Sequence, residues 1–103
     1  MSPEMFLKSL RESRKRLDLT PSDLALWFGR PRATIKTWLE QDRTPRGERV
    51  LAECVRRLKL LQLSPAFPVP YEVTALARTK YVRTAYERAN NAGVSSGDST
   101  SER

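Results

Sequence analysis

The sequence predicts an all-α domain of four to five helices followed by a disordered C-terminal tail. Apolar residues recur with a helical period in several segments, and proline beside a serine or threonine marks two helix starts. No segment shows the alternating pattern typical of a β-strand. With 103 residues the chain is long enough for one small hydrophobic core, so we expect a single domain.

The first two helices each begin with a capping hydroxyl followed by a proline. Helix 1 is predicted from Ser2 to about Leu17, and Asp18 suits a left-handed break. Helix 2 starts at Thr20 and ends at Gly29, because glycine enters the left-handed C-cap conformation without steric cost. The residues expected to face the core are Phe6, Leu10, Leu17, Leu24, Ala25 and Phe28.

Helices 3 and 4 follow with a clear division between apolar and polar faces. Helix 3 is predicted to hold Pro31 in its first turn, with Ile35, Trp38 and Leu39 inward. Turn residues over 42–47 precede helix 4, which ends near residue 62. The apolar stripe of helix 4 is Val50, Leu51, Cys54, Val55, Leu58 and Leu61. Its cations, Arg56, Arg57 and Lys59, are expected to face solvent.

The C-terminal part has a different character. Residues 64–71, SPAFPVPY, contain three prolines and predict an extended connector, whose apolar side chains Phe67, Val69 and Tyr71 should hold it against the core. A fifth helix is predicted over 71–90. Its inward residues by spacing are Val73, Leu76, Ala77, Tyr81, Ala85 and Ala89.

The predicted organisation therefore has three parts. Residues 1–63 form the helical domain, and 64–91 form a connector and C-terminal helix that either cover the core or mediate dimerisation. Residues 92–103 are rich in Gly, Ser and Asn and predict a disordered tail.

The charge balance indicates a polyanionic partner. The net charge is +7 and the sequence pI is about 10.2, which favours nucleic acid or an acidic surface. The cations are concentrated in residues 1–63, which carry a net charge of +6, against +1 for residues 64–103. The polyanion-binding surface is therefore expected in residues 1–63.

The composition also narrows the function classes. The chain has no histidine and a single cysteine, Cys54, so histidine-based catalysis, histidine-ligated zinc and an internal disulfide are excluded. No clustered carboxylates or glycine-rich phosphate loop occur. We therefore expect no enzymatic activity, no catalytic residues, no metal, no cofactor and no small-molecule ligand. We expect neither a membrane span nor a secretion signal, and hence a cytoplasmic protein.

Helices 2 and 3 have the features of a helix-turn-helix unit. They are joined by a tight turn at Gly29, and the second helix presents cations outward, as in units that place this helix in the DNA major groove. Ala25 lies where the two helices must approach closely. Ile35 and Trp38 would then fasten helix 3 to helix 2.

The stretch LRESRKRLDLTPSDLALWFGRPRATIKTWLEQDRTP, residues 10–45, resembles the XRE/Cro-repressor-like helix-turn-helix family. The matching positions are Leu10-Arg11, Arg14, Leu19-Thr20, Leu24-Ala25, Gly29, Thr34-Ile35, Trp38 and Pro45, and the segment 50–61 takes the place of the family's fourth helix. The resemblance implies a repressor-like fold and a sequence-specific regulator of transcription. Such a phage or bacterial regulator is expected to act as a repressor, binding an inverted repeat of double-stranded DNA as a homodimer.

The resemblance places base reading on helix 3. The family's base-reading positions fall on Arg32, Ala33 and Thr37, with Lys36 beside them. An arginine suits a guanine edge, and alanine or threonine suits a thymine methyl group. The expected phosphate contacts come from Arg14 and Thr20, and from three arginines that flank helix 3, Arg30, Arg43 and Arg46.

Leu26 and Trp27 are apolar where the family usually has polar residues. An exposed pair of this kind needs a cover, either the chain's own segment around Phe67 to Tyr71 or a dimer partner. The candidate interface residues are Leu26, Trp27, Phe67, Tyr71, Leu76 and Tyr81. The same residues support an alternative function, a protein-assembly or adaptor module on a helix-turn-helix scaffold, similar to an antitoxin or a terminase small subunit.

Overall fold

A computed structural model describes the backbone of residues 1–98 and the side chains of residues 1–92. The described backbone contains five helices and no strand, which confirms the all-α class. The helices are α1 (Pro3–Arg16), α2 (Pro21–Phe28), α3 (Arg32–Gln41), α4 (Glu48–Leu63) and α5 (Ala75–Asp98). The predicted tail, 92–103, lies mostly outside the described residues. Its side chains are not described from residue 93 onward, and its backbone is not described from residue 99 onward.

The ends of α1 and α2 follow the local sequence signals. The Met5 amide donates to the Ser2 hydroxyl at 3.2 Å, and Asp18 takes a left-handed φ of 54° after α1. Thr20 and Asp23 form a reciprocal capping box at the start of α2. Gly29 ends α2 at φ 64°. The predicted starts and stops of both helices are therefore confirmed.

The starts of α3 and α5 differ from the predicted ones. Pro31 is the N-cap of α3 and not part of its first turn, because its extended ψ of 147° lies outside the helix. Helix α4 begins at Glu48, directly after the predicted turn residues 42–47, whereas α5 begins later than predicted, at Ala75. Thr74 sets the start of α5, since its hydroxyl accepts the Ala77 amide at 3.2 Å.

The first aromatic cluster, Phe6, Phe28 and Trp38, joins the three N-terminal helices. Its ring centroids lie 5.7–6.0 Å apart in edge-to-face contact. Phe6 comes from α1, Phe28 from α2 and Trp38 from α3, and all three are buried. The helix-turn-helix unit is therefore part of the core.

The second aromatic cluster, Trp27, Phe67, Tyr81 and Tyr86, joins the C-terminal segment to α2. The Trp27 ring lies edge-to-face against Phe67 at 5.6 Å and against Tyr86 at 5.2 Å. The Tyr81 hydroxyl donates to the Ala66 carbonyl at 2.6 Å and fixes the connector to α5. Tyr71 does not take part, as it is 63% exposed, contrary to the expectation that it lies on the core.

The buried face of α5 agrees with the predicted one at Ala85 and differs from it at Leu76, Ala77 and Val82. Val82 and Ala85 are its buried apolar residues, whereas Leu76 is 68% exposed and Ala77 is also exposed. Because α5 packs on both α2 and α4, its contacts with these two helices decide which of its faces is buried. The periodicity of α5 alone does not contain this information.

Candidate nucleic-acid interface

Helix α3 presents a short basic surface to solvent. Arg32, Ala33 and Lys36 are exposed and lie on the face opposite the core. Thr37 is half-buried, and its hydroxyl donates to the Ala33 carbonyl at 2.9 Å. The hydroxyl proton of Thr37 is thus used within the helix, which leaves its methyl group and oxygen lone pairs for other contacts.

The opposite face of α3 is fixed in the core. Ile35 is fully buried and Trp38 belongs to the first aromatic cluster. Arg11 of α1 holds the C-terminal end of α3, because its guanidinium donates to the Trp38 carbonyl at 3.3 Å and to the Leu39 carbonyl at 3.2 Å. The same guanidinium is paired with Asp42. Helix α3 therefore has a defined position relative to α1.

The turn between α2 and α3 is held by an arginine of α4. Arg57 donates to the Trp27 carbonyl at 3.2 Å, at the C-terminal end of α2. A Cβ atom on Gly29 would lie 2.9 Å from Arg57 Nη1. Gly29 is therefore required by its left-handed backbone, and a side chain at this position would also displace the Arg57 guanidinium.

Arg56 and Arg57 share the carboxylate of Glu53. The hydrogen bonds from these two arginines lower the pKa of Glu53 to about 2. Arg56 also donates to the Tyr86 hydroxyl and to Asn90 of α5, and the Arg57 guanidinium lies 4.8 Å from the Tyr86 ring centroid. The prediction of plain solvent-facing charge is wrong for Arg57, which is half-buried, because α5 packs beside it.

The start of α2 carries a buried carboxylate. Asp23 is 3% exposed, and it accepts the Thr20 amide at 2.9 Å and the Arg78 guanidinium at 2.8–3.0 Å. Arg78 also donates to the Asp18 carbonyl. Asp23 raises the pKa of Arg78. The capping box therefore serves a second purpose, since it anchors α5 to α2.

The cations predicted to contact phosphates lie in two kinds of environment. Arg14, Arg43 and Arg46 are exposed, and the Arg14 carbonyl accepts the Leu19 amide at 3.0 Å, next to the start of α2. Arg30 is half-buried, and its positive charge acts to lower the pKa of the Cys54 thiol. Burial nevertheless raises the pKa of that thiol. Arg30 is thus directed toward α4 in this structure.

The predicted interface residues also separate into two groups. Trp27 and Phe67 are buried against each other within one chain, and the Trp27 indole donates to the Arg57 carbonyl at 2.8 Å. In the structure the chain's own C-terminal segment, and not a dimer partner, covers Trp27. Leu26 and Tyr81 are half-buried, whereas Tyr71 and Leu76 remain at the surface.

Sequence reasoning missed three arginines that position the site, Arg11, Arg57 and Arg78. In the sequence Arg11 is marked only by the family pattern, and the Trp27 and Asp23 partners of Arg57 and Arg78 lie 30 and 55 residues away. The acid at the third position of α2 was a signal for a capping box. No local signal indicates that an arginine of α5 binds the same carboxylate.

Comparisons of this chain with protein-family models, curated proteins and solved structures found no match. No helix in the described part of the chain is long and apolar enough to cross a membrane. Among the described residues, no group of three or more His, Cys, Asp or Glu side chains could hold a metal ion.

Proposed function

We propose that the protein is a sequence-specific double-stranded DNA-binding regulator of transcription, which inserts α3 into the major groove. The observation that carries the proposal is the division of α3 into two faces. Ile35 and Trp38 are fixed in the core, and Arg32 and Lys36 stand exposed on the other side. A helix held in this way can present its outward side chains to base edges in a defined register.

The exposed cations around α3 suit the phosphate backbone. Arg43 and Arg46 follow α3 in the chain, and Arg14 lies beside the start of α2. Pro21 has no amide proton and the Asp23 amide is used in the cap, so a phosphate at α2 would meet the Thr20 hydroxyl and the Ser22 amide. In this proposal these groups set orientation, and α3 provides specificity.

The choice of operator can be determined by selection from random duplexes with the full-length protein. Two half-sites about 34 Å apart, one helical turn, are expected for a symmetric homodimer acting as a repressor on an inverted repeat. A single site without symmetry would indicate a monomer. If no duplex sequence is enriched and the protein forms salt-insensitive oligomers, the assembly or adaptor function replaces this proposal.

Base reading by α3 is tested with two matched arginine variants. Arg32→Ala is expected to weaken binding to the selected duplex by about 1 to 3 kcal/mol and to relax its sequence preference. Arg43→Ala should weaken the binding of selected and random duplexes alike. It should also reduce the slope of the logarithm of the binding constant against the logarithm of the salt concentration by about one, because one phosphate contact is lost. Titrations of both duplexes at several salt concentrations measure these effects. Equal losses on both duplexes for Arg32→Ala would contradict the assignment.

A further inference from the structure

An open apolar groove runs between the C-terminal end of α4 and α5. Leu60 and Leu63 line it on α4, and a ridge at four-residue spacing lines it on α5. This ridge consists of Ala77, Tyr81, Ala85 and Ala89. The volume of the groove is about 960 Å³. Leu63 is 82% exposed although it ends an otherwise packed helix, and Ala77 across the groove is also exposed, so these two apolar side chains have no cover within the described chain.

The groove is basic as well as apolar. Lys80 and Arg88 lie along its α5 side, and its described lining contains no aspartate or glutamate. The two cations are eight residues apart, which corresponds to about 12 Å along a helix axis. They do not converge on one point, as the binding of a single carboxylate or phosphate group would require. Their spacing instead matches acidic residues about two turns apart on a second helix.

We propose that this groove binds an amphipathic α-helix of a partner protein, with apolar residues on one face and acidic residues along its flank. The groove lining on α5 extends from Ala77 to Ala92, which is about 22 Å or four helical turns. The small alanine side chains leave room for leucine or phenylalanine side chains of the partner. The rim cations Lys80 and Arg88 then pair with its acids.

A second copy of this chain fits the groove less well. In a symmetric pair the same surface meets itself, so Lys80 and Arg88 would face identical cations. The groove also lies on elements other than α3, whose outward residues carry the proposed DNA contacts. The inference therefore does not depend on the proposed DNA-binding function.

The test is a selection of displayed helical peptides of about 18 residues against the full-length protein. Leucines are fixed on one face, and the flanking positions are randomised among Glu, Gln and Lys. The wild-type protein is expected to enrich Glu at two flanking positions seven or eight residues apart. The double variant Lys80→Glu/Arg88→Glu should enrich Lys instead. Leu63→Gln should weaken the selected acidic peptide by about tenfold, because it removes apolar contact area.

Arg83→Glu is the matched control, since Arg83 is exposed on α5 but does not line the groove. It should keep the preference for Glu, and circular dichroism should show all variants folded. Leu63→Gln should also keep any sequence-specific DNA binding, so failure of one proposal is distinguishable from failure of the other.

Three outcomes overturn the proposal. The first is that no peptide is enriched, or that the wild-type protein and the charge-reversed variant select the same flanks. The second is that decanoate shifts the NMR signals of the groove residues while no helical peptide binds. The third is a dimer in sedimentation that Leu63→Gln dissociates, because a second copy would then occupy the groove.

Discussion

Arg57 donates one hydrogen bond to the Trp27 carbonyl of α2 and another to Glu53 of its own helix. Arg11 and Arg78 likewise reach other helices, so these three cations are part of the fold. Arg32 and Arg43 are exposed and form no ion pair within the described residues. The net charge of +7 therefore comes partly from arginines that connect helices within the fold and partly from exposed arginines that are available to a polyanion.

Glu53 should make the stability of the protein depend on pH in the acid range. Its pKa in the folded chain is about 2, below the ordinary value of 4.5, so the folded state favours the carboxylate. The stability that Glu53 contributes is fully present above pH 4.5 and is lost as the pH falls toward 2. Thermal unfolding of the wild type and Glu53→Gln should differ most near neutral pH and converge in acid. A constant difference across this range would contradict the assigned pairing.

At the scale of the element, contacts with the turn before α3, with its middle and with its C-terminal end hold this helix in position. The first aromatic cluster holds its middle, Arg11 holds its C-terminal end, and Gly29 and Arg57 fix the turn before it. Pro31 places the first helical residue at Arg32, one residue later than the sequence pattern predicts. The outward side chains of α3 are consequently presented on a rigid base, as a binding helix requires.

Variants of Arg11 and Arg14 are expected to distinguish a residue that positions α3 from a residue that contacts phosphate. Arg11→Ala removes hydrogen bonds to the end of α3 and should lower the free energy of unfolding by about 1 kcal/mol. Arg14→Ala removes an exposed side chain and should change it by less than about 0.5 kcal/mol. Under the proposed function, Arg14→Ala should nevertheless weaken all duplexes. Urea unfolding and DNA titration distinguish the two, and a large loss of stability for Arg14→Ala would contradict the division.

At the scale of the whole molecule, α5 completes the core that α1 to α4 leave open. Phe67 and Tyr86 cover Trp27, and Val82 of α5 is fully buried. The Asp23–Arg78 pair ties α5 to the start of α2. The described C-terminal segment is therefore integral to the domain, and α5 forms one wall of the proposed groove.

Arg78→Ala should destabilise the whole domain. It leaves the buried Asp23 carboxylate without its charged partner, which is expected to lower the free energy of unfolding by about 3 kcal/mol. Arg83→Ala, an exposed cation of the same helix, is the control and should cost less than about 0.5 kcal/mol. Denaturant unfolding followed by tryptophan fluorescence measures both. Similar small effects for the two variants would show that the ion pair does not hold α5 in place.

The sequence predicted more of the first part of the chain than of the second. Capping by Ser2 and Thr20 and the left-handed Gly29 are local, so their backbone signals can be read from a few residues. The sequence predicts the inward position of Ala85 correctly but not the positions of Val82 and Leu76, because the apolar pattern of α5 is weak. There the packing partners, not the pattern, decide burial.

The amino-acid sequence by itself determined the all-α class, the ends of the first two helices and the outward position of Arg32 and Lys36. These features depend on helical period and on capping groups within a few residues of one another. Only the tertiary structure decided which arginines are internal, how Trp27 is covered and where the groove beside α5 lies. Each of these depends on side chains that are far apart in the chain and meet only when the helices pack.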